Sequence, residues 1–302
     1  MPIPYMGSKR KTAGRFYSAI KNYHPNANCL VDLFCGGFAI SEYFLKKGWE
    51  VIANDKNGYI IALIRKLLHE DLNEKEILQF ISRDKFWDVL KTPSEYPDWY
   101  VGYVMCCWSF GNNQKSYLYG RNLGNYPLAI HNLAVNKDPV LITQLDSSLP
   151  DKYIKGVFSL DSWQKRRIAW LKIEDNFALQ QKCSLVHLKR NEVLLQMKAL
   201  QHESSKCYLF NSSYESVNIP KGAIVYCDPP YQGTAKYAES NFDHAKFWDW
   251  ARKQSQNNPV YVSEYSAPPD FETILEFSQA SGLCLGQSKN QPNEKLFRLK
   301  TK

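Results

Sequence analysis

The sequence predicts an α/β fold, an open sheet with helices, whose core is split in the chain by an inserted, mostly helical lobe. Buried-strand patterns that stop at glycine or proline turns occur near both ends of the 302-residue chain, and helical periodicity alternates with them. Between about residues 70 and 183 that alternation disappears.

In chain order, Cys29-Leu-Val-Asp-Leu-Phe34 reads as a buried strand, Cys35-Gly36-Gly37 as a turn, and Phe38, Ile40, Tyr43, Phe44 and Leu45 as the apolar positions of a helix. Glu50-Val-Ile-Ala53 is a second strand ending in Asn54-Asp55, and a helical pattern follows over 59–68. Helical pieces at 74–90 and 161–177 flank a loop dense in Gly, Asn, Tyr and Lys, which together make the lobe, 71–184, between core halves 1–70 and 185–302. The rhythm resumes with a helix over 190–202 and a strand over 206–210. Next come the strand Gly222-Ala-Ile-Val-Tyr-Cys227, a helix over 244–255 and the strand Pro259-Val-Tyr-Val-Ser263. A helix over 270–278 and a closing pair of strands near 283–286 and 295–299 complete the core. No internal repeat or low-complexity tract is visible.

Hydrophobic content of 44% and charged content of 23% exclude a disordered chain. The longest apolar stretch, 100–110, is too short to span a bilayer, and the start lacks a signal-peptide pattern, so a cytoplasmic protein is expected. Cysteines at 29, 35, 106, 107, 183, 207, 227 and 284 show no C-x-x-C spacing, so they read as reduced thiols and no metal site is expected. A formal charge of +8 suits a polyanionic partner without requiring one. Its distribution says more, since residues 1–70 carry ten Lys or Arg against five acids, with Lys9-Arg10-Lys11 and Arg15 close together.

Asp228-Pro229-Pro230-Tyr231 directly follows a core strand, and ligands in open α/β sheets bind outside such strand ends. The prolines fix φ and remove N–H donors, which holds the Asp228 carboxylate in a set direction, and Tyr231 offers a flat face on which a base can stack. Asp-Pro-Pro is also a good turn former. The glycine turn after Asp32 lets a ligand approach the backbone, but Asp32-Leu-Phe-Cys-Gly-Gly-Phe-Ala39 is not the dinucleotide fingerprint G-x-G-x-x-G. Asp55 lies 23 positions after Asp32, near the roughly 20-residue spacing of a ribose-binding carboxylate, though an acid there also caps helices.

Four segments, Pro4-Tyr-Met-Gly-Ser-Lys9, Asp32-Leu-Phe-Cys-Gly-Gly-Phe38, Asn54-Asp55 and Tyr226-Cys-Asp-Pro-Pro-Tyr231, together resemble the Dam-like DNA adenine-N6 methyltransferases. Phe242-Asp-His and Val262-Ser-Glu-Tyr265 look familiar from the same family. The resemblance implies a Rossmann-like class I methyltransferase with a mixed seven-stranded sheet, S-adenosylmethionine as cofactor, double-stranded DNA as partner, no metal, and a monomer in solution. It implies a cofactor pocket from Tyr5, Met6, Gly7, Lys9, Asp32, Phe34, Gly36, Asp55, Ser213 and Asp228, with Lys9 near the cofactor carboxylate and Asp55 on the ribose. Where relatives often carry an acid, this chain reads Asn211-Ser-Ser-Tyr214, so adenine contact would fall to Ser213 or Tyr214. Asp228, Pro229, Pro230 and Tyr231 would hold a flipped adenine. In the lobe, Asn112, Asn113, Lys115, Tyr117, Tyr119 and Arg121 would meet DNA, and Lys165-Arg166-Arg167 reads either as a phosphate contact or as a solvated charge run. An N4-cytosine or RNA N6-adenine methyltransferase poses the same chemistry, and a catalytically silent DNA-binding homologue is the rival from another class.

Overall fold

Short runs of Val, Ile, Tyr and Cys form the centre of the sheet in the computed structural model, which describes residues 2–146, 149–176, 185–232, 242–277 and 293–300. The strands are β1 (Cys29–Asp32), β2 (Glu50–Asn54), β3 (Cys207–Phe210), β4 (Ile224–Cys227), β5 (Val260–Glu264), β6 (Phe271–Phe277) and β7 (Glu294–Leu299). They lie in the order β3-β2-β1-β4-β5-β7-β6. Strands β3 to β5 run parallel, while β7 is antiparallel to both neighbours. This is the mixed seven-stranded, Rossmann-like α/β sheet expected from the sequence. Every position of β4 and β5 is buried, as expected of parallel strands shielded on both faces.

The α-helices are α1 (Ala13–Tyr23), α2 (Ala39–Leu45), α3 (Gly58–His69), α4 (Glu74–Ile77), α5 (Arg83–Lys91), α6 (Asp98–Cys107), α7 (Tyr126–His131), α8 (Val140–Leu145), α9 (Asp151–Phe158), α10 (Trp163–Asn176), α11 (Val186–Met197) and α12 (His244–Gln254). The chain divides into two compact units, one holding Gly7–Ile61 and Leu200–Lys302 with the sheet, the other holding Ile3–Met6 and Ala62–Ala199. The expected lobe, 71–184, lies inside the second, helical unit. None of the described helices is long and apolar enough to cross a membrane.

Two expected elements come out differently. The segment read as a helix over 270–278 is strand β6, paired antiparallel with β7 from Phe271↔Leu299 to Phe277↔Glu294. A register shift between Thr273 and Leu275 breaks the alternation of side chains, so the apolar spacing imitates a helical period. The single helix read over 74–90 is two, because Ser82 caps α5 by accepting the Lys85 N–H at 3.1 Å. The strand expected near 283–286 lies outside the described residues.

Candidate active site

The chain lays β1, β2 and β3 to one side and returns to place β4 and β5 on the other, so β1 and β4 are neighbours at the point where strand order reverses. Open α/β sheets bind ligands in the crevice that opens there, beyond the strands' carboxyl ends. Asp32 closes β1 opposite Tyr226, and Asp228 leaves β4 two residues later. Two carboxylates thus stand at one crevice because of the ladder register.

At the β4 exit the Tyr231 hydroxyl donates to Asp228 Oδ1 at 2.9 Å. Lys9 Nζ lies 2.8 Å from Asp228 Oδ2 and 3.5 Å from Glu294 Oε1, and 5.0 Å over the centre of the Tyr231 ring. Lys9 is 9% exposed, follows the turn at Gly7 (φ 78°), and donates to the Gly7 carbonyl at 3.3 Å. Burial pushes the Asp228 carboxyl above its ordinary range, and the adjacent Lys9 ammonium pulls it back. Lys9, Gly7, Asp228 and Tyr231 are therefore brought together, with Lys9 on the carboxylate of Asp228.

Asp32 is 1% exposed, and burial raises its pKa to about 7, against the hydrogen bond that Ser41 donates to Oδ2 at 2.7 Å. Its other oxygen, Oδ1, has no hydrogen-bond partner among the described residues. Asp55 accepts the Gly36 N–H at 2.8 Å on one oxygen and the Asn57 N–H at 2.8 Å on the other, so it clamps the glycine turn to the end of β2. Burial raises its pKa as well. Asn54, buried, fastens three strand ends: its amide donates to the Leu33 and Ser212 carbonyls, and its carbonyl accepts from the Ser212 N–H and hydroxyl. Ser212 is consumed by this knot, whereas Ser213 is exposed. Phe34 and Tyr214 lie with ring centres 5.5 Å apart.

Sequence reasoning left out Glu294, Ser41 and Asn54 as site residues. Asn54 was visible beside Asp55, but Glu294 carries no sequence signal, because it reaches Lys9 only through the long-range pairing of β7.

The donor set suits a cationic cofactor. Lys9 is paired with Asp228 and Glu294, while Asp32, Asp55 and Asp228 have their carboxyls raised mainly by burial, which a nearby positive charge would oppose. An ammonium and a sulfonium, as S-adenosylmethionine carries, would supply it.

Residues 5–96 match the family model described as the D12 class N6 adenine-specific DNA methyltransferase. That segment of the chain resembles the D12-class adenine methyltransferases. The D12 match covers Gly7, Lys9, Asp32 and Asp55 and ends well before Asp228, so the fold joins the D12-class segment to D-P-P-Y. No curated protein matches the chain. Among solved structures, an Escherichia coli protein described as a candidate methyltransferase, yhhF, aligns over 100% of this chain and 92% of its own at 11% identity with a TM-score of 0.31, a likeness too distant to bear on chemistry. The D12-class match supports a methyltransferase activity for the chain.

Tyr5 and Met6, also in the expected cofactor set, are grouped with the helical unit. The expected DNA contacts lie in that unit too, and they divide sharply by exposure. Tyr117 and Tyr119 are 9% and 8% exposed; the Tyr117 hydroxyl donates to the Ile81 carbonyl at 2.7 Å and the Tyr119 hydroxyl bonds His187. Both are core residues here, so their rings are not presented for stacking on DNA. Lys115 and Arg121 are exposed, and Asn113 folds its own loop by accepting the Lys115 and Ser116 N–H groups. Asn112 takes a left-handed φ of 58°, tolerated by Asn better than by most residues. The Lys165-Arg166-Arg167 run meets neither of its expected roles as a unit. Lys165 pairs with Asp161 in solvent, but Arg166 is buried on the Leu160, Ala134 and Val135 carbonyls, and Arg167 is buried beside Glu192.

Proposed function

We propose that this protein transfers the methyl group of S-adenosylmethionine to N6 of an adenine flipped out of duplex DNA. The observation that carries the reading is the carboxylate and aromatic ring of Asp228 and Tyr231 at the strand-reversal crevice, beside the buried Asp32 and the half-buried Asp55. An exocyclic amine is a poor nucleophile because its lone pair is delocalised into the ring. Hydrogen bonds accepted by the Asp228 carboxylate and the Pro229 carbonyl would turn that lone pair out of the ring plane, while stacking on Tyr231 offsets a few kcal/mol of unstacking. The bound cofactor supplies an electrophilic methyl on a cationic sulfur. Asp32 would hold its ammonium and Asp55 its ribose hydroxyls. The base cannot use Asp228 until Lys9 withdraws from Oδ2 and from the Tyr231 ring, and the cofactor carboxylate is a natural anion to draw it away. Lys115 and Arg121 are proposed phosphate contacts. The test is incubation with labelled cofactor and unmethylated genomic DNA, followed by mapping of modified bases. Label should appear on adenine N6 with the wild-type protein and vanish with Asp228→Ala. Label on cytosine, on RNA alone or on no nucleic acid would overturn the reading.

A further inference from the structure

We infer that Glu264 is a positioning residue that fixes the D-P-P-Y turn, and with it the Tyr231 ring, by sharing one carboxylate between the exits of β4 and β5; this inference rests on the methyltransferase reading. The β4–β5 ladder ends at Cys227↔Val262. Beyond it Pro229 and Pro230 have no N–H to donate, so the backbone that carries the site leaves the sheet without ladder bonds at those two residues. Glu264 supplies the missing tie from its side chain. Its Oε1 accepts the N–H of Gln232, the residue after Tyr231, at 2.7 Å, and its Oε2 accepts the N–H of Tyr265 at 2.6 Å. Both oxygens are used and the residue is 2% exposed, so the bonds are charge-assisted and shielded from water.

The second arm matters because of what Tyr265 does. Its ring meets the Tyr231 ring edge-on, at 4.8 Å between centres and 78° between planes. One carboxylate therefore sets both the backbone just after Tyr231 and the aromatic wall against which Tyr231 leans. Asp228 is bonded to the Tyr231 hydroxyl, so the direction of the proposed acceptor follows the ring. A glutamine has the same length but one acceptor oxygen, and its amide hydrogens would confront the second N–H. Glu264→Gln thus breaks one arm of the clasp without emptying the space.

The experiment compares wild type with Glu264→Gln and Glu264→Ala in three measurements: kcat for methyl transfer, cofactor affinity by calorimetry, and fluorescence of 2-aminopurine replacing the target adenine. Loss of positioning should lower kcat roughly tenfold to a hundredfold in Glu264→Gln, leave the cofactor Kd within about twofold, and weaken the fluorescence rise that reports a flipped base. Glu264→Ala should lose more in kcat. Unchanged kcat in Glu264→Gln would overturn the inference, and so would a parallel loss of kcat and cofactor affinity, which is what a merely structural residue would give. Failure of the wild-type protein to methylate any DNA would instead count against the methyltransferase reading.

Discussion

Among the described residues the sheet unit buries mainly acids, whereas the helical unit buries mainly bases, with Glu174 its exception. In the first, Asp32, Glu264 and Glu294 are each 1–2% exposed and Asp228 stands beside them, with Lys9 as the cation paired to two of the four. In the second, His187 bonds Tyr119 and His131 and stacks on Trp108 at 4.4 Å, while Arg166 and Arg190 donate to main-chain carbonyls. The difference lies in how completely the groups are compensated. His187, Arg166 and Arg190 find partners within their own unit and so hold its shape, although Arg167 keeps Nε without one among the described residues. Asp32 keeps an oxygen without a partner among the described residues, and burial drives its carboxyl to about 7, a tension that a cationic ligand would relieve.

The largest effect that sharpens this contrast lies within one charge run. Arg166→Ala should cost about 2–4 kcal/mol of stability, because it leaves buried carbonyls unpaired, while its exposed neighbour Lys165→Ala should leave the denaturation midpoint unchanged. Equal effects would mean that Arg166 is not structural.

Acidity should separate the units next, in opposite directions. The folded Asp32 carboxyl titrates near 7 against an ordinary 3.8, so between those values the native state holds more protons than the unfolded chain and stability falls as pH rises. His131 is pushed by burial down to about 4 from 6.5, so over that window the unfolded chain binds more protons and stability falls as pH drops. In melting experiments without cofactor, Asp32→Asn should therefore gain on the wild type as pH is raised through the 4–7 interval. His131→Gln should gain on it as pH is lowered through the 6.5–4 interval. Parallel curves for both variants would break the comparison.

A smaller effect concerns the ligand rather than the fold. Asp55→Ala should weaken cofactor binding by about 1–2 kcal/mol through lost hydrogen bonds to the ribose hydroxyls, with unchanged affinity by calorimetry removing it from the pocket.

The sheet was legible in the sequence where strands are short, apolar and stopped by Gly, Pro or Asp, as at Cys29–Asp32, Ile224–Cys227 and Val260–Glu264. It was illegible at Phe271–Phe277, where only the two end residues are buried and a bulge disturbs the alternation. Asp55, Asp228 and Tyr231 could be named as candidates from their places at strand ends, and Lys9 and Asp32 from the family resemblance. Their partners could not. Lys9 was expected at a cofactor carboxylate and lies on Asp228, and Glu294 joins it through a strand pairing that no local pattern announces. In the lobe, glycines and aromatics suggested a probing loop, yet Tyr117 and Tyr119 point their hydroxyls at Ile81 and His187, because an aromatic with a polar tip serves a core as readily as a surface.

The centre of the sheet also sets a schedule for biosynthesis. Leu30–Asp32 pair with Ile224–Tyr226, and the helical unit's stretch of about 140 residues must leave the ribosome between the two halves of that ladder. At roughly 5–20 residues per second the wait is on the order of ten seconds or more. Throughout it the nascent chain carries an open strand edge, Leu30 and Val31 included, to which a chaperone or a mismatched strand has access before the native partner has been made.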